Sequence, residues 1–240
     1  MNSSIAIVGP GKLGTSLARS LCLAGYEVSG PHGHGFTGDG SSLVILCVPD
    51  GSIPQAAALI DESALVGHTS GASSLSELGG RAGFGLHPLM TFPGGEVNLE
   101  GVWCAVSGTG AAETVEARRL ADATGMRPFE IDDADRAAYH AAASIASNFL
   151  VTLQAEAASL AAAAGVPDEA LVPLVKATVA NWAEVGPERA LTGPVARGDD
   201  ETVARQRAAV AGEAPQLLPL FDALVERTEQ LALRSQGAAA

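Results

Sequence analysis

A glycine-rich turn near the start of the chain has the residue types and spacing of a phosphate-binding loop. The apolar run IAIV at residues 5–8 leads directly into GPGKLG at residues 9–14, where an amphipathic helical pattern begins. Gly9 would form the tight turn, Gly11 would let the backbone approach a pyrophosphate, and Gly14 would allow close helix-to-strand packing. Unpaired N–H groups at the helix start would bind the anion. This order of elements predicts a dinucleotide site, with an ordinary glycine-rich turn as the alternative.

A second set of polar residues lies in a segment without charge. Residues 137–155 contain no Asp, Glu, Lys or Arg, yet His140, Ser144, Ser147 and Asn148 fall within about 100° of one another on a helix. The opposite arc would be the packing face, and it holds Tyr139, Ala142, Ala146, Phe149, Leu150 and Leu153. A solvent face would normally carry Lys and Glu, so we expect the neutral polar face to border a cleft.

Two roles can be assigned to that face. His140 could protonate a substrate oxygen, while Ser144 and Asn148 orient the carbonyl group. Two alternatives stay open: the same residues could satisfy buried backbone and helix contacts, or they could meet a symmetry mate in a dimer.

Two strand ends offer further candidates. CVPD at residues 47–50 and LHP at residues 86–88 place polar residues or proline just after buried apolar runs. In open α/β sheets, ligands bind at the carboxyl edge, so we expect a site there. His87 is either part of that site or a hydrogen-bonded loop histidine.

The elements that must position these residues change in character along the chain. Seven short apolar runs alternate with helical or glycine-rich pieces up to Ile131: IAIVG, YEVSG, SLVILCVP, SALVGHTS, AGFGLHP, GVWCAVSG and RPFEI. Continuous runs such as LVILCV are typical of parallel strands covered on both faces. After Ile131 we find only Ala- and Leu-rich helical patterns. The sequence therefore predicts an α/β fold, a Rossmann doubly wound and mostly parallel sheet at 1–131, followed by an all-α domain at 132–240.

The second strand bears on the choice of cofactor. No carboxylate follows Tyr26-Glu27-Val28, where an acidic residue would bind the ribose of NAD. Ser29, His32 or His34 could instead meet the extra phosphate of NADP, so we expect NADP, with NAD possible. Residues 30–41, GPHGHGFTGDGS, are too short and too rich in glycine for the usual next helix, which predicts an abbreviated adenine side.

Composition argues against several classes of function. The chain has 14 basic and 27 acidic residues and a formal charge of −13, which disfavours nucleic-acid and membrane-surface roles. Three widely spaced cysteines indicate a reducing compartment, and we expect a cytoplasmic protein without a signal peptide. His32 and His34 have no third ligand nearby, so no metal site is predicted. GHTSG at 67–71 has Thr69 where a hydrolase elbow needs serine.

These motifs together resemble a known family. GPGKLGTSLA, CVPD, HTSGA, HPLMTF, YHAAASIASNFLVTL and ALTGPVARGD are similar to a Rossmann-like oxidoreductase family whose helical C-terminal domain is of unknown function. The family lies in the 6-phosphogluconate dehydrogenase-like class, with ketopantoate reductase, pyrroline-5-carboxylate reductase and prephenate dehydrogenase. This chain differs in its shortened segment after the second strand and in having His140 near the place of the catalytic lysine of ketopantoate reductases.

The resemblance implies a nucleotide-binding domain, a helical domain that closes the site, and a homodimer formed through the C-terminal helices. It assigns the cofactor contacts to Gly9, Gly11, Lys12, Leu13, Gly14, Val48 and Pro49. It assigns the substrate side to Ser70, His87, His140, Ser144, Asn148 and Arg197, with Arg197 holding a substrate carboxylate. The leading hypothesis is thus an NADP-preferring oxidoreductase that reduces a small carbonyl or imine compound, for example a ketopantoate-like oxo acid. The alternative is a non-catalytic binding or regulatory protein on the same scaffold.

Overall fold

The predicted sheet is present with all seven of its strands. The computed structural model describes residues 4–94 and 97–238. The strands are β1 (Ser4–Val8), β2 (Glu27–His32), β3 (Leu43–Leu46), β4 (Leu65–His68), β5 (Gly83–Pro88), β6 (Trp103–Gly108) and β7 (Arg127–Glu130). Five of them fall within one of the apolar runs, while β1 begins one residue before its run and β2 extends two residues beyond its run. The central strand β3 is buried at every residue, as its continuous apolar run predicts.

The strand order confirms the predicted α/β fold class and shows how the short segment after β2 connects that strand to β3. The order is β2-β1-β3-β4-β5-β6-β7, and every neighbouring pair is parallel except β5 with β6. No helix forms between β2 and β3. The chain leaves β2 at one edge of the sheet, crosses back over β1 and enters β3 on the other side. Because the direction of winding reverses at β1, a crevice opens between the carboxyl ends of β1 and β3.

Helices cover both faces of the sheet. Helices α1 (Lys12–Leu23) and α3 (Ala111–Ala123) pack on one face, and α2 (Ile53–Leu59) packs on the other. Strand β1 divides its side chains between the two cores. Ile5 and Ile7 belong to the core under α1 and α3, while Ala6 and Val8 belong to the core under α2. This alternation follows from the two-residue period of a strand.

The uncharged segment forms two helices where one was expected. Helix α4 (Arg136–Ala146) ends before Ser147, whose φ of −117° and ψ of −76° interrupt the helix, and α5 (Asn148–Ala163) begins directly afterwards. By its contacts the chain divides into residues 1–148 and 149–240, so the division lies in the uncharged segment and not after Ile131. Helix α4 groups with the sheet because Arg136, in its first turn, is only 2% exposed and is hydrogen-bonded to the strand ends.

The second unit is helical, as expected. Beyond β7 no strand occurs in the described part of the chain, and the helices that follow α5 are α6 (Leu171–Val185), α7 (Pro187–Ala190), α8 (Pro194–Arg197), α9 (Asp200–Glu213) and α10 (Leu218–Ala238). Several large apolar side chains in this unit are exposed, among them Phe149, Val151, Leu174, Trp182 and Leu233. Within residues 4–94 and 97–238, none of the helices has the length and hydrophobicity needed to cross a bilayer.

A candidate active site at the carboxyl edge of the sheet

The glycine turn is built as its spacing predicts. Gly9 has a φ of +112°, and a Cβ there would lie 2.1 Å from the carbonyl oxygen of Cys47. A Cβ on Gly14 would lie 2.0 Å from the carbonyl oxygen of Gly9, which locks the first turn of α1 against the loop. Gly11, in contrast, has open space around it and an ordinary φ of −74°. No side chain caps α1, so its N-terminus is available to an anion.

A crevice of about 320 Å³ lies beside this turn. Gly9, Gly11, Val48 and Pro49 are among its lining residues, together with His34 and Phe36 from the segment after β2. The ring of His32 stacks on Phe36 with centroids 3.9 Å apart, and His32 Nε2 lies 3.0 Å from the hydroxyl of Ser29. Side chains of the loop between β2 and β3 therefore line the crevice, on the side where a helix usually follows the second strand.

The other predicted cofactor residues lie close to this crevice but do not line it. Lys12 turns its Nζ to the carbonyl oxygen of Pro93, at 2.8 Å. Gly14 lies beneath the turn, and Leu13 lines a neighbouring cavity of about 250 Å³. That second cavity is bordered by the ends of β3, β4 and β5, and its lining includes Cys47, Val48, Ser70, Gly71, His87, Met90, Phe92 and His140.

A third and larger cavity, of about 670 Å³, extends from there along α4. The predicted polar face of His140, Ser144, Ser147 and Asn148 lines it. The assignment of Tyr139, Ala142 and Ala146 to the opposite packing face was wrong, because these residues line the same cavity. The wall of the cavity includes the end of α4 and the break at Ser147, so it is wider than one helical arc. Its lining residues, all within the described ranges, include no Lys, Arg, Asp or Glu.

Two imidazoles and a phenol meet where the second and third cavities join. His87 Nδ1 lies 2.6 Å from the hydroxyl oxygen of Tyr139, and the rings are nearly perpendicular, at 87°. The ring of His140 is 6.3 Å from that of His87. Burial, followed by the charges of His140 and Arg136, lowers the pKa of His87 to about 4. Burial also raises the pKa of Tyr139 to about 12. Both groups are therefore neutral at pH 7.

Gly71 makes this arrangement sterically possible. A Cβ at this position would lie 2.8 Å from Cε1 of His87 and 2.9 Å from Cδ2 of His140. Both imidazoles therefore lie directly against the backbone of the loop after β4. Gly71 belongs to the motif HTSGA, and its lack of a side chain leaves room for both imidazole rings.

The sequence reasoning missed Arg136, the residue that fixes α4 to the sheet. Its guanidinium donates to Asp133 Oδ1 at 2.9 Å, to the carbonyl oxygen of Ser70 at 3.1 Å and to the hydroxyl of Ser107. Burial lowers the pKa of Arg136, although Asp133 opposes that shift. For Asp133, burial raises the pKa, but hydrogen bonds from Ser74 and Leu75 and the charge of Arg136 bring it below its usual value. An Asp three residues before an Arg was the available signal.

Comparison with models of protein families identifies the family of this chain. The model of a family described as a domain of unknown function, DUF2520, matches residues 102–228, which is more than half of the 240 residues. The chain belongs to the DUF2520 family. The matched region runs from β6 to the middle of α10 and includes Arg136, Tyr139 and His140. A comparison with curated proteins gives no match.

Solved structures of similar fold cover almost the whole of this DUF2520 chain. Protein TM1727 from Thermotoga maritima is 23% identical, with a TM-score of 0.79, and the match covers 97% of this chain and 99% of that one. A Bacteroides fragilis protein, BF3122, named as a candidate NADP oxidoreductase, is 21% identical with a TM-score of 0.78 and coverages of 95% and 98%. A reductive aminase from Aspergillus terreus, in complex with NADPH and ethyl levulinate, is 19% identical with a TM-score of 0.66 and coverages of 96% and 94%. At these identities the likeness establishes the Rossmann-like fold.

Two predicted substrate residues of this DUF2520 protein, Ser70 and Arg197, are not part of the histidine cluster, which consists of His87, Tyr139 and His140. The hydroxyl of Ser70 accepts hydrogen bonds from the N–H groups of Ala72 and Ser73, so it shapes the loop after β4. Arg197 is the last residue of α8 in the helical unit and is exposed. The substrate roles of both stay predictions. Among the described residues, no three His, Cys, Asp or Glu side chains converge in a way that could hold a metal ion.

A buried histidine next to the site also went unrecognised. His68 ends β4 and is 0% exposed. Its Nδ1 accepts a hydrogen bond from the N–H of Ser70 at 3.2 Å, so Nε2 carries the proton. Nε2 has no hydrogen bond of normal geometry, although the backbone of Ser74 is near enough to raise the pKa slightly. Burial, and then the charge of Arg136, lowers the pKa of His68 to about 4.

Proposed function

We propose that this protein is an NADP-dependent oxidoreductase that reduces a small carbonyl or imine compound. The observation that carries the proposal is the continuity of the three cavities along the carboxyl edge of the sheet. The crevice and the second cavity share Cys47 and Val48. The second and third cavities share His87, His140, Met90 and Phe92. A cleft therefore runs from a phosphate-binding turn to a pair of imidazoles, as a nucleotide and a small substrate placed end to end would require.

Different parts of the cleft would bind the cofactor and the substrate. The N-terminus of α1 and the turn at Gly9 and Gly11 would hold the pyrophosphate. When bound, NADPH would supply a hydride to the carbonyl or imine carbon. His140 would give the proton that the substrate oxygen or nitrogen gains, and Ser144 and Asn148 would orient that group through hydrogen bonds. Among these assignments, His140, Ser144 and Asn148 are supported by their places in the lining of one cavity.

NADP is favoured over NAD by the end of β2. Ser29 and His32 stand at or near this strand end, and no carboxylate is available there to bind the ribose hydroxyls of NAD. Similar solved structures add support, since one has NADPH bound and another is named for NADP. NAD remains the second choice of cofactor.

The lining of the third cavity favours a substrate that is neutral where it enters the cleft. A carboxylate placed there would lose its hydration without gaining a cationic partner from the described lining residues. A ketopantoate-like oxo acid, which the resemblance implies, would have to place its carboxylate elsewhere, with Arg197 as its predicted ligand. Both kinds of compound belong in the first substrate panel.

A binding or regulatory protein without hydride transfer is the second candidate function. It is favoured by the missing helix between β2 and β3, since that region normally contributes to the adenosine site. A direct test of both candidates is a fluorescence titration with NADPH and NADH, comparing wild type with Gly11→Ala. A methyl group on Gly11 meets nothing in the free protein but would block close approach of a pyrophosphate.

The expected result is saturable NADPH binding that is tighter than NADH binding and that Gly11→Ala weakens at least about tenfold. Gly212→Ala is the matched control, because Gly212 lies in α9 with open space around it. Binding would be followed by NADPH oxidation with cyclohexanone, 1-pyrroline and ketopantoate. Absence of NADPH and NADH binding would contradict the enzyme proposal and favour the second candidate.

We also propose that the protein is a homodimer formed through its C-terminal helices. The support is the number of large exposed apolar side chains on α5, α6 and α10, such as Val151, Leu174 and Leu233. Monomeric proteins rarely leave many such side chains in water. Light scattering should give twice the mass of the chain for the wild type, and the Leu174→Glu variant should give a lower mass. A monomeric wild type would contradict the proposal.

A further inference from the structure

We propose that Tyr139 holds His87 in the neutral tautomer protonated on Nε2, so that His87 acts as an uncharged hydrogen-bond donor to the reacting oxygen or nitrogen of the substrate. This inference rests on the proposed reductase function and adds a role for each of the two residues. In it, His140 remains the group that loses a proton, while His87 keeps its own.

The hydrogen bond between His87 and Tyr139 has a definite direction. Nδ1 of His87 and the hydroxyl of Tyr139 are 2.6 Å apart, so one of them donates to the other. With a pKa near 12, Tyr139 keeps its proton, and with a pKa near 4, His87 has only one. A phenol is the better donor and an imidazole nitrogen the better acceptor, so the bond runs from Tyr139 to Nδ1.

The other ring nitrogen of His87, Nε2, carries its proton. If Nδ1 accepts, the single proton of His87 must lie on Nε2. Nε2 lies 2.9 Å from the point that a Cβ on Gly71 would occupy, which is the wall of the second cavity. The ring of His140 borders the same space, at 6.3 Å between centroids. Because His87 lines both the second and the third cavity, the ring that carries this N–H borders the junction of the two.

The surroundings of His87 keep this donor uncharged. Electrostatic interactions with His140 and Arg136 lower the pKa of His87 and disfavour its protonation, while Asp50 favours it. Desolvation is the largest influence and also disfavours protonation. A neutral imidazole can polarise a carbonyl group without giving up its proton, and a fixed donor of this kind costs no reorganisation during hydride transfer. His87 and His140 therefore have distinct tasks.

Nitrogen NMR of the imidazole rings tests the tautomer without any need for turnover. In ¹⁵N-labelled protein at pH 7, with His87 assigned by the His87→Gln variant, we expect Nε2 protonated and Nδ1 unprotonated. Tyr139→Phe should shift His87 towards a mixture of tautomers. The chain has only one other tyrosine, so Tyr26→Phe is the matched control and should leave His87 unchanged. A wild type with the proton on Nδ1, or a Tyr139→Phe variant with an unchanged tautomer, would overturn the proposal.

Kinetics with NADPH and the panel of cyclohexanone, 1-pyrroline and ketopantoate test the donor role. Tyr139→Phe should lower kcat about tenfold or more with little change in the KM for NADPH, because a donor is no longer held in place. A changed tautomer with an unchanged kcat would refute the role of donor. If the wild type binds NADPH and shows the tautomer but reduces none of the three compounds, the proposed function and the donor role fail together, while the tautomer assignment stands.

Discussion

Nη1 of Arg136 donates a hydrogen bond to the carbonyl oxygen of Ser70 over 3.1 Å and so joins α4 to the loop after β4. The same guanidinium reaches Asp133 and Ser107, and a Cβ on Gly85 would lie only 2.1 Å from its Nη2. A planar group with several fixed donors can make all of these contacts at once. His140 lies one helical turn after Arg136, so the position of its imidazole depends on this anchor.

Replacing Arg136 with Lys should therefore destabilise the protein even though the charge is kept. An ammonium group cannot reach three acceptors in different directions, and a buried polar group would be left without a partner. We expect a loss of about 2–4 kcal/mol in the free energy of unfolding, measured with urea. Arg118→Lys is the control, because the Arg118–Glu130 pair is largely exposed and should matter by less than about 1 kcal/mol. Equal effects of the two substitutions would contradict the anchoring role.

Gly71→Ala should separate activity from stability. The added methyl group would meet the tips of the His87 and His140 rings, which can rotate away, so the fold should survive. We expect unfolding to change by less than about 1 kcal/mol, while kcat falls about tenfold or more because both imidazoles are displaced. Gly51→Ala, at a glycine with open space around it, serves as the control. Unchanged turnover in Gly71→Ala would show that the two imidazoles do not act where we place them.

Much of the sheet and the cofactor turn could be predicted because both depend on local patterns. Seven apolar runs became seven strands, and the close contacts at Gly9 and Gly14 are those that the glycine spacing requires. The missing helix after β2 was also foreseeable, since residues 30–41 are too rich in glycine to form one. These features need only the length, burial and flexibility of short segments.

The histidine cluster was harder to foresee because it depends on contacts between distant residues. His87 and Tyr139 are 52 positions apart, and nothing local indicates that their side chains meet. Tyr139 was assigned to a packing face because only one arc of the helix was expected to border the cleft, whereas the cavity is lined by residues from both arcs of α4. The break at Ser147 was a separate omission, although Ser and Asn at 147 and 148 are residue types that commonly start a helix.

Acid should destabilise the protein through its buried histidines. His68 is 0% exposed and has a pKa lowered to about 4, whereas an unfolded histidine titrates near 6.5. Between these values the unfolded state binds more protons than the native state, so stability falls as the pH drops from about 6.5 to 4. His68 alone should contribute on the order of 2–3 kcal/mol to this loss.

Urea unfolding at several pH values measures this dependence. The wild type should lose stability steadily below about pH 6.5, and His68→Gln should show a smaller slope over the same range even if it is less stable at pH 7. His87, whose pKa is also near 4, should account for part of the slope that remains. A slope that is identical in the variant would mean that His68 is protonated in the native state as easily as in the unfolded chain.

Arg81 should stabilise the fold at a distance from the cleft. Its Nη1 donates to the carbonyl oxygens of Ala57 and Ile60, and its Nη2 donates to those of Asp61 and Ala64, at 2.7 to 3.2 Å. These four acceptors lie at the end of α2 and in the loop that follows, where carbonyl groups lack the usual partner four residues on. The carbonyl oxygens of Ala57 and Asp61 each also accept a backbone hydrogen bond, from Ile60 and Ala64. Arg81→Met keeps the apolar stem but removes every donor, so we expect a loss of about 2–3 kcal/mol on unfolding.

The matched comparison is Arg205→Met on α9, where the Arg205–Glu201 pair is exposed and the same substitution should cost less than about 1 kcal/mol. Arg81→Lys should fall between Arg81→Met and the wild type, because one ammonium group can satisfy some of the four carbonyls. NADPH binding should be unchanged in all three variants, since Arg81 does not line the cleft. Wild-type stability in Arg81→Met would mean that water satisfies these carbonyls as well as the guanidinium does.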